Sequence, residues 1–268
     1  MAASASEVAS APIKRLEGKV ALITGAARGL GECTARLFTQ HGAKVVIADI
    51  LDDLGHSVSQ TIPGSTYVHC DVTNEKDVEN AVDTAVSKYG KLDIMFNNAG
   101  LGDYNKDNIL DNDLADFQKV VNVNLIGVFL GTKHAARVMI PARSGNIINT
   151  ASVCSIAGGL SSHAYTSSKH GVLGLTKNTA VELGRYGIRV NCVSPYVVAT
   201  PMAKEFFRLD DEGVHNIYSP LKGAAIEPQD FAEAALFLAS NESKFVNGHN
   251  LVADGGYTIT NYGFTIFK

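Results

Sequence analysis

The chain has 268 residues, 46% hydrophobic and 19% charged, with a formal net charge of −4. Such a chain buries a large apolar core without disulfide or metal staples. The absence of a basic field or a run of like charge excludes a nucleic-acid surface, and no apolar run reaches the roughly 18 residues of a membrane span.

Residues 1–13 are small and polar. They lack the apolar core of a signal peptide, and Glu7 without any arginine argues against a transit sequence. Residues 1–15 are expected to be a disordered start. The four cysteines, Cys33, Cys70, Cys154 and Cys192, form no CxxC pair and have no histidine at metal spacing. They read as reduced thiols of a cytoplasmic protein that binds no metal.

Lys19–Thr24 is an apolar run, followed at once by the glycine turn Gly25-Ala-Ala-Arg-Gly-Leu-Gly31 and a helical pattern that stops at His41-Gly42. Strand, glycine turn, helix is the context of a dinucleotide site, because glycines let the backbone approach a pyrophosphate at the helix N-terminus. Gly25, Gly29 and Gly31 are candidates for that contact. The next strand, Ala43–Asp49, ends in a carboxylate. Asp49 can accept from the ribose hydroxyls of NAD and repels the extra phosphate of NADP. Arg28, inside the turn, is the one residue that favours NADP.

Thr66–Cys70 predicts a third strand, leading to Asp71 and Val72. Asn74 predicts the cap of a helix through about Lys88, with Val78, Ala81, Val82, Ala85 and Val86 as its apolar stripe. Lys91–Phe96 predicts a fourth strand, which runs into the turn Asn97-Asn-Ala-Gly100. A single long helix is expected from about Asp113 to Met139, with Asn122 and Asn124 inside its apolar stretch. A mid-helix asparagine is disfavoured and needs a reason.

Gly145–Thr150 predicts a fifth strand that delivers Ser152 at its carboxyl end. The following helix, to about Leu183, carries Tyr165 and Lys169 one turn apart on the same face. A phenol beside an ammonium is a proton donor and acceptor whose pKa the cation lowers. Ser152 can hold a substrate oxygen beside it. Ile188–Val193 is a sixth strand, Pro228–Ala239 a helix and Asn250–Ala253 a last strand. Residues 200–226 read as a flap of short helices over a ligand. The apolar tail Tyr257–Lys268 is expected to pack, with another subunit as one partner. About seven strands alternating with helices predict one doubly wound α/β Rossmann domain over residues 16–268, a seven-stranded parallel sheet flanked by helices.

Together these stretches resemble the short-chain dehydrogenase/reductase family over essentially residues 16–256. Thr24–Gly31 matches its TGxxxGxG turn, Asn97–Gly100 its NNAG, and Tyr165–Lys169 its YxxxK, with Ser152 at the family's spacing. The similarity is greatest to plant members of the secoisolariciresinol, xanthoxin and borneol dehydrogenase kind. One departure is Pro195-Tyr196, where the family often has Pro-Gly.

The resemblance implies a catalytic set of Asn124, Ser152, Tyr165 and Lys169. Tyr165 takes the hydroxyl proton of a secondary alcohol, Lys169 lowers its pKa and holds the nicotinamide ribose, and Ser152 orients the reacting oxygen. Asn124 supports a water that passes the proton on. The cofactor is NAD, held by Gly25, Arg28, Gly29, Leu30, Gly31, Asp49, Ile50, Asp71, Val72, Asn98, Ala99, Gly100, Tyr165, Lys169, Pro195, Val198 and Thr200. The substrate is a hydrophobic cyclic alcohol or its ketone, with Leu101, Cys154, Leu160, Tyr196, Met202, Phe206 and Phe207 as walls. A homo-oligomer, a tetramer by family habit, is implied. The competing readings are an NADP-dependent ketone reductase and a nucleotide-binding sensor that has lost catalysis.

Overall fold

The computed structural model describes residues 14–103, 108–217 and 220–261. Seven strands form one sheet: β1 (Val20–Thr24), β2 (Lys44–Asp49), β3 (Thr66–His69), β4 (Ile94–Asn97), β5 (Gly145–Thr150), β6 (Ile188–Pro195) and β7 (Asn250–Ala253). Their order is β3-β2-β1-β4-β5-β6-β7, and every pair is parallel. The chain crosses from the edge strand β3 back to β4 beside β1. That reversal opens a crevice above the carboxyl ends of β1 and β4.

A parallel sheet is covered on both faces, so its central strands are apolar throughout. All five residues of β1 are buried. Ala21 and Ile23 join one core, with Val45, Ile47, Ile94 and Phe96, while Val20 and Leu22 join the other, with Val46, Ala48 and Met95. The first core lies under α1 (Gly29–Gln40), α2 (Asp52–Thr61) and α9 (Pro228–Ala239). Phe96 stacks there between Phe38 and Phe231, at centroid distances of 6.4 and 6.1 Å. The second lies under α3 (Glu75–Tyr89), α5 (Gly127–Ala142) and α6 (His163–Gly184).

Strand, helix and turn positions follow the sequence reading closely, with four differences. The fourth strand begins at Ile94, and the side chain of Asp93 before it accepts from Val20 N at 2.8 Å. The sixth continues to Pro195, paired with Ala253 of β7. Helix α2 had no periodic apolar signal. It packs through Gly55, where any Cβ would collide with the Tyr67 ring. The expected single helix over 113–139 is two helices, α4 (Leu114–Val121) and α5, joined by a π-helical turn at Asn122–Ile126. Such a turn inserts a residue into the helical ladder and is common at functional sites. Here it buries Asn124 and leaves Asn122 exposed.

Residues 200–226 do hold short helices, α7 (Pro201–Phe207) and α8 (Asp211–His215). The expected disorder of residues 1–15 and the packing of the apolar tail fall largely on residues 1–13 and 262–268, outside the described residues. Lys14 and Arg15 are described, and Arg15 pairs with Glu233 and Glu242.

Candidate active site

A cavity of about 610 Å³ opens above the carboxyl ends of the strands. One end is built by the turn after β1. Gly25 and Gly29 have φ of 64° and 61°, a region that favours glycine. A Cβ on Gly25 would come within 2.7 Å of Ala99 Cα, so the turn packs directly on the Asn97–Gly100 segment. Thr24 Oγ1 accepts from Asn98 N at 3.0 Å and Ala99 N at 3.1 Å. The Asn98 amide donates to the carbonyls of Thr24 and Gly25 and accepts from Thr150 Oγ1. The NNAG asparagine thus laces the ends of β1, β4 and β5 together. Next to it, Asn97 donates to Asn149, which donates to Thr176 on α6.

Asp49 is 7% exposed, and its carboxylate is aimed by two backbone donors, Ala27 N at 2.9 Å and Leu51 N at 3.1 Å. Arg28 is exposed at the N-cap of α1 and lines the same cavity. The glycine turn, the N-terminus of α1 and an oriented carboxylate fit a dinucleotide: backbone amides for its phosphates, an acceptor for its ribose.

The other end holds the residues expected to react. Ser162 caps α6, accepting from Tyr165 N at 3.1 Å. Ser152 caps a short turn after β5, where its Oγ accepts from Cys154 N at 3.2 Å. Ser152 and Tyr165 line the same cavity, and the Ser152 hydroxyl is near enough to the Tyr165 phenol to favour its ionised form. Lys169 Nζ donates to Thr150 O at 2.8 Å and lies 5.5 Å from the Tyr165 ring centroid.

The pKa directions differ from the sequence expectation. Burial holds the Tyr165 phenol well above its ordinary value, the Cys154 sulfur adds to that, and the Ser152 hydrogen bond opposes it. Burial likewise pushes the Lys169 ammonium down to about 8, with Cys154 and Cys192 pulling the other way. Desolvation therefore outweighs Lys169 in the cleft as it stands, because the burial that disfavours a phenolate also weakens the cation meant to stabilise it. Burial also raises the Cys154 thiol, with Ser152, Lys169 and its own backbone amide opposing. That keeps it protonated and a poor nucleophile.

Of the expected site residues, all but two line the cavity. Gly31 does not. A Cβ there would collide with the Gly25 carbonyl and the Asn98 amide, so Gly31 allows α1 to seat against the turn. Asn124 is fully buried behind the wall. Its Oδ1 accepts from Leu101 N at 2.8 Å, and its Nδ2 donates to Leu101 O at 2.9 Å and Ser168 Oγ at 3.3 Å. Its amide is engaged by protein, as a clamp on Leu101. Tyr257, Val123 and Leu51 also line the cavity and had no motif to mark them; Ile217, within the expected flap, lines it too. The contact of Tyr257 with Tyr196, at a centroid distance of 4.5 Å, joins two segments distant in sequence. Among the described residues, no cluster of three His, Cys, Asp or Glu side chains is placed to hold a metal, and no helix is long and apolar enough to cross a membrane.

The family model described as "Enoyl-(Acyl carrier protein) reductase" matches residues 25–258. The chain is 59% identical over 272 residues to secoisolariciresinol dehydrogenase of Forsythia intermedia, covering 99% of this chain and 98% of that one. The chain belongs to the short-chain dehydrogenase/reductase family. A mitochondrial borneol dehydrogenase of Lavandula x intermedia is 61% identical over 260 residues, covering 97% of this chain and 98% of its own. The 3-ketoacyl-(acyl-carrier-protein) reductase of Brucella melitensis, solved with NADH, superposes with a TM-score of 0.84 at 36% identity, covering 91% of this chain and 99% of that one. As a short-chain dehydrogenase/reductase the protein is an oxidoreductase that uses a nicotinamide cofactor.

Proposed function

We propose that the protein oxidises a hydrophobic, cyclic secondary alcohol to the ketone with NAD as hydride acceptor. The placing of Ser152 and Tyr165 together on the wall of one cleft carries this reading. Ser152 Oγ accepts from Cys154 N, and its own proton is there to be given to a substrate oxygen. An alcohol oxygen seated between the two hydroxyls is oriented by Ser152 and gives its proton to Tyr165. Oxidised NAD, when bound, accepts the carbinol hydride and carries positive charge in its ring. Held near Tyr165, such a charge would favour the phenolate and offset the burial that opposes it. Lys169, tied to the end of β5, holds the ribose end of the cofactor. Asn124 acts by holding Leu101 in the wall.

Asp49 supports NAD over NADP, since two backbone donors fix a carboxylate where an added phosphate would meet like charge. Arg28 beside it favours the second reading, an NADP-dependent ketone reductase. The cofactor contacts carry over to Gly25, Arg28, Gly29, Leu30, Asp49, Ile50, Asp71, Val72, Asn98, Ala99, Gly100, Pro195, Val198 and Thr200, all of which line the cavity. The chain functions as one domain with residues 200–226 as its substrate flap, in a cytoplasmic homotetramer. Sedimentation and a fluorescent fusion test the last two, and mitochondrial fluorescence would overturn the location.

The deciding experiment is NADH or NADPH appearance with purified protein and a panel of cyclic secondary alcohols. Turnover with NAD on apolar ring alcohols is expected, with several analogues accepted because an apolar pocket discriminates weakly. Turnover with NADP alone would favour the second reading. Tight NAD binding with no turnover on any alcohol would favour a sensor.

A further inference from the structure

The substrate end of the cavity is walled by two aromatic pairs on separate elements. On α7, Phe206 and Phe207 meet edge to face at 4.8 Å. Across the chain, Tyr196 follows β6 and Tyr257 follows β7. Their rings lie 4.5 Å apart at an interplanar angle of 36°, and both line the cavity.

The second pair is built to hold its place. Tyr196 N donates to Ala253 O at 2.9 Å, which continues the β6–β7 ladder to the tyrosine itself. Beyond β7, the Asp254 carboxylate accepts from Gly256 N at 2.9 Å, Thr258 N at 2.7 Å and Thr258 Oγ1 at 2.6 Å. This closes a tight turn around Tyr257. Charge-assisted bonds of this kind fix geometry firmly. A preformed aromatic surface costs a ligand little ordering when it binds.

We infer that the Tyr196–Tyr257 pair is a platform for a flat ring of the substrate, and that it makes the enzyme prefer alcohols carrying an aromatic ring over saturated ones of the same carbon skeleton. The inference rests on the alcohol dehydrogenase reading above and narrows it. An aromatic face attracts the positive edge or offset face of a second π system, a gain beyond area burial. A puckered saturated ring fills the same volume without that gain. Tyr257 reaches the platform from the C-terminal segment, so that segment helps set substrate choice.

The test compares 1-tetralol with 1-decalol, which share a skeleton and differ in one aromatic ring. The wild type, Tyr257→Leu and Tyr257→Phe are assayed for kcat/KM with NAD, and for NADH affinity by fluorescence titration. The preference for 1-tetralol should fall about two- to tenfold in Tyr257→Leu and return in Tyr257→Phe, with NADH affinity unchanged. An unchanged preference in Tyr257→Leu would overturn the platform. So would a parallel loss of NADH affinity, which would assign the rings to the cofactor. A second arm titrates 1-tetralone and 1-decalone against the NADH-loaded proteins. It reads the platform without turnover, so failure of the dehydrogenase reading shows separately. Equal affinity for the two ketones in the wild type also overturns the inference.

Discussion

Lys169 Nζ donates to the Thr150 carbonyl at 2.8 Å and so ties the helix that carries Tyr165 to the end of the strand that delivers Ser152. The bond positions two elements of the site, yet it holds an ammonium where burial disfavours charge. Its pKa is lowered from 10.5 to about 8. Between those values the folded state binds fewer protons than the unfolded one, so stability from this group rises with pH across that window. Below pH 8 both states are protonated, and the folded state carries the full cost of burying the charge. Denaturant melts of the wild type and Lys169→Met at stepped pH should show the difference shifting in favour of the wild type from pH 8 to 10.5. A difference flat with pH would mean that Lys169 does not change charge in this range.

Removing the phenol oxygen tests the proton transfer. Tyr165→Phe should lower kcat by about 10²–10⁴-fold or more, the usual worth of a general acid–base group, and leave NADH affinity within about twofold. Ser152→Ala should also lower kcat more than it changes KM, because its bond to the reacting oxygen strengthens as charge develops there. Stopped-flow and steady-state assays with one accepted alcohol separate these effects. Normal turnover by Tyr165→Phe would falsify the assignment.

Asp49→Asn keeps the side-chain size and an acceptor for one of Ala27 N and Leu51 N, which bond to different carboxylate oxygens, and removes the charge. The ratio of kcat/KM for NAD to that for NADP should fall by tenfold or more, about 1.4 kcal/mol, aided by Arg28. The counterpart Arg28→Ala should move the ratio the other way. Unchanged ratios in both variants would place the choice of cofactor elsewhere.

Asn124→Ala leaves Leu101 N and O without their partner in a half-buried loop. A stability loss of about 1–3 kcal/mol is expected. The KM for alcohol should rise more than kcat falls, since Leu101 lines the substrate end. A variant with normal KM and much reduced kcat would instead restore the proton-relay role expected from family resemblance.

Helix α5 approaches β4 through Gly131, where a Cβ would collide with Asn97 Oδ1 and press on Met95 Cε at 2.8 Å. Both neighbours are buried, so neither has room to move. Gly131→Ala should destabilise by about 1–3 kcal/mol in a thermal melt, with kcat at low temperature little changed.

The sheet was legible because buried parallel strands are written as apolar runs: Val20–Ile23 and Val45–Ala48 needed no context. The glycine turn, NNAG and YxxxK were legible because each geometry restricts residue type locally. Helix α2 was not, since its fit depends on Gly55 beneath a ring on β3, a pairing invisible along the chain. The π turn at Asn122–Ile126 was missed for a similar reason, although the disfavoured Asn124 marked its place. Tyr257 carried no signal of a place in the site: an aromatic in an apolar tail reads as packing until the tertiary fold brings it to Tyr196. The burial that raises the Tyr165 pKa was not legible because Tyr-Lys spacing speaks of charge proximity and is silent on desolvation.

The crossing from β3 back to β4 has a consequence for how such a protein can diversify. The Asp49 end of the crevice is assembled from the first third of the chain, and the short helices of residues 200–226 and the Tyr196–Tyr257 pair from the last third. Substitutions at Phe206, Phe207 or Tyr257 that alter the alcohol accepted would therefore fall on codons far from those of the glycine turn and Asp49, whereas changes at Tyr196 or Met202 would sit beside the proposed cofactor contacts Pro195, Val198 and Thr200. A lineage can explore new substrates at the far positions while inheriting an unaltered first third of the chain.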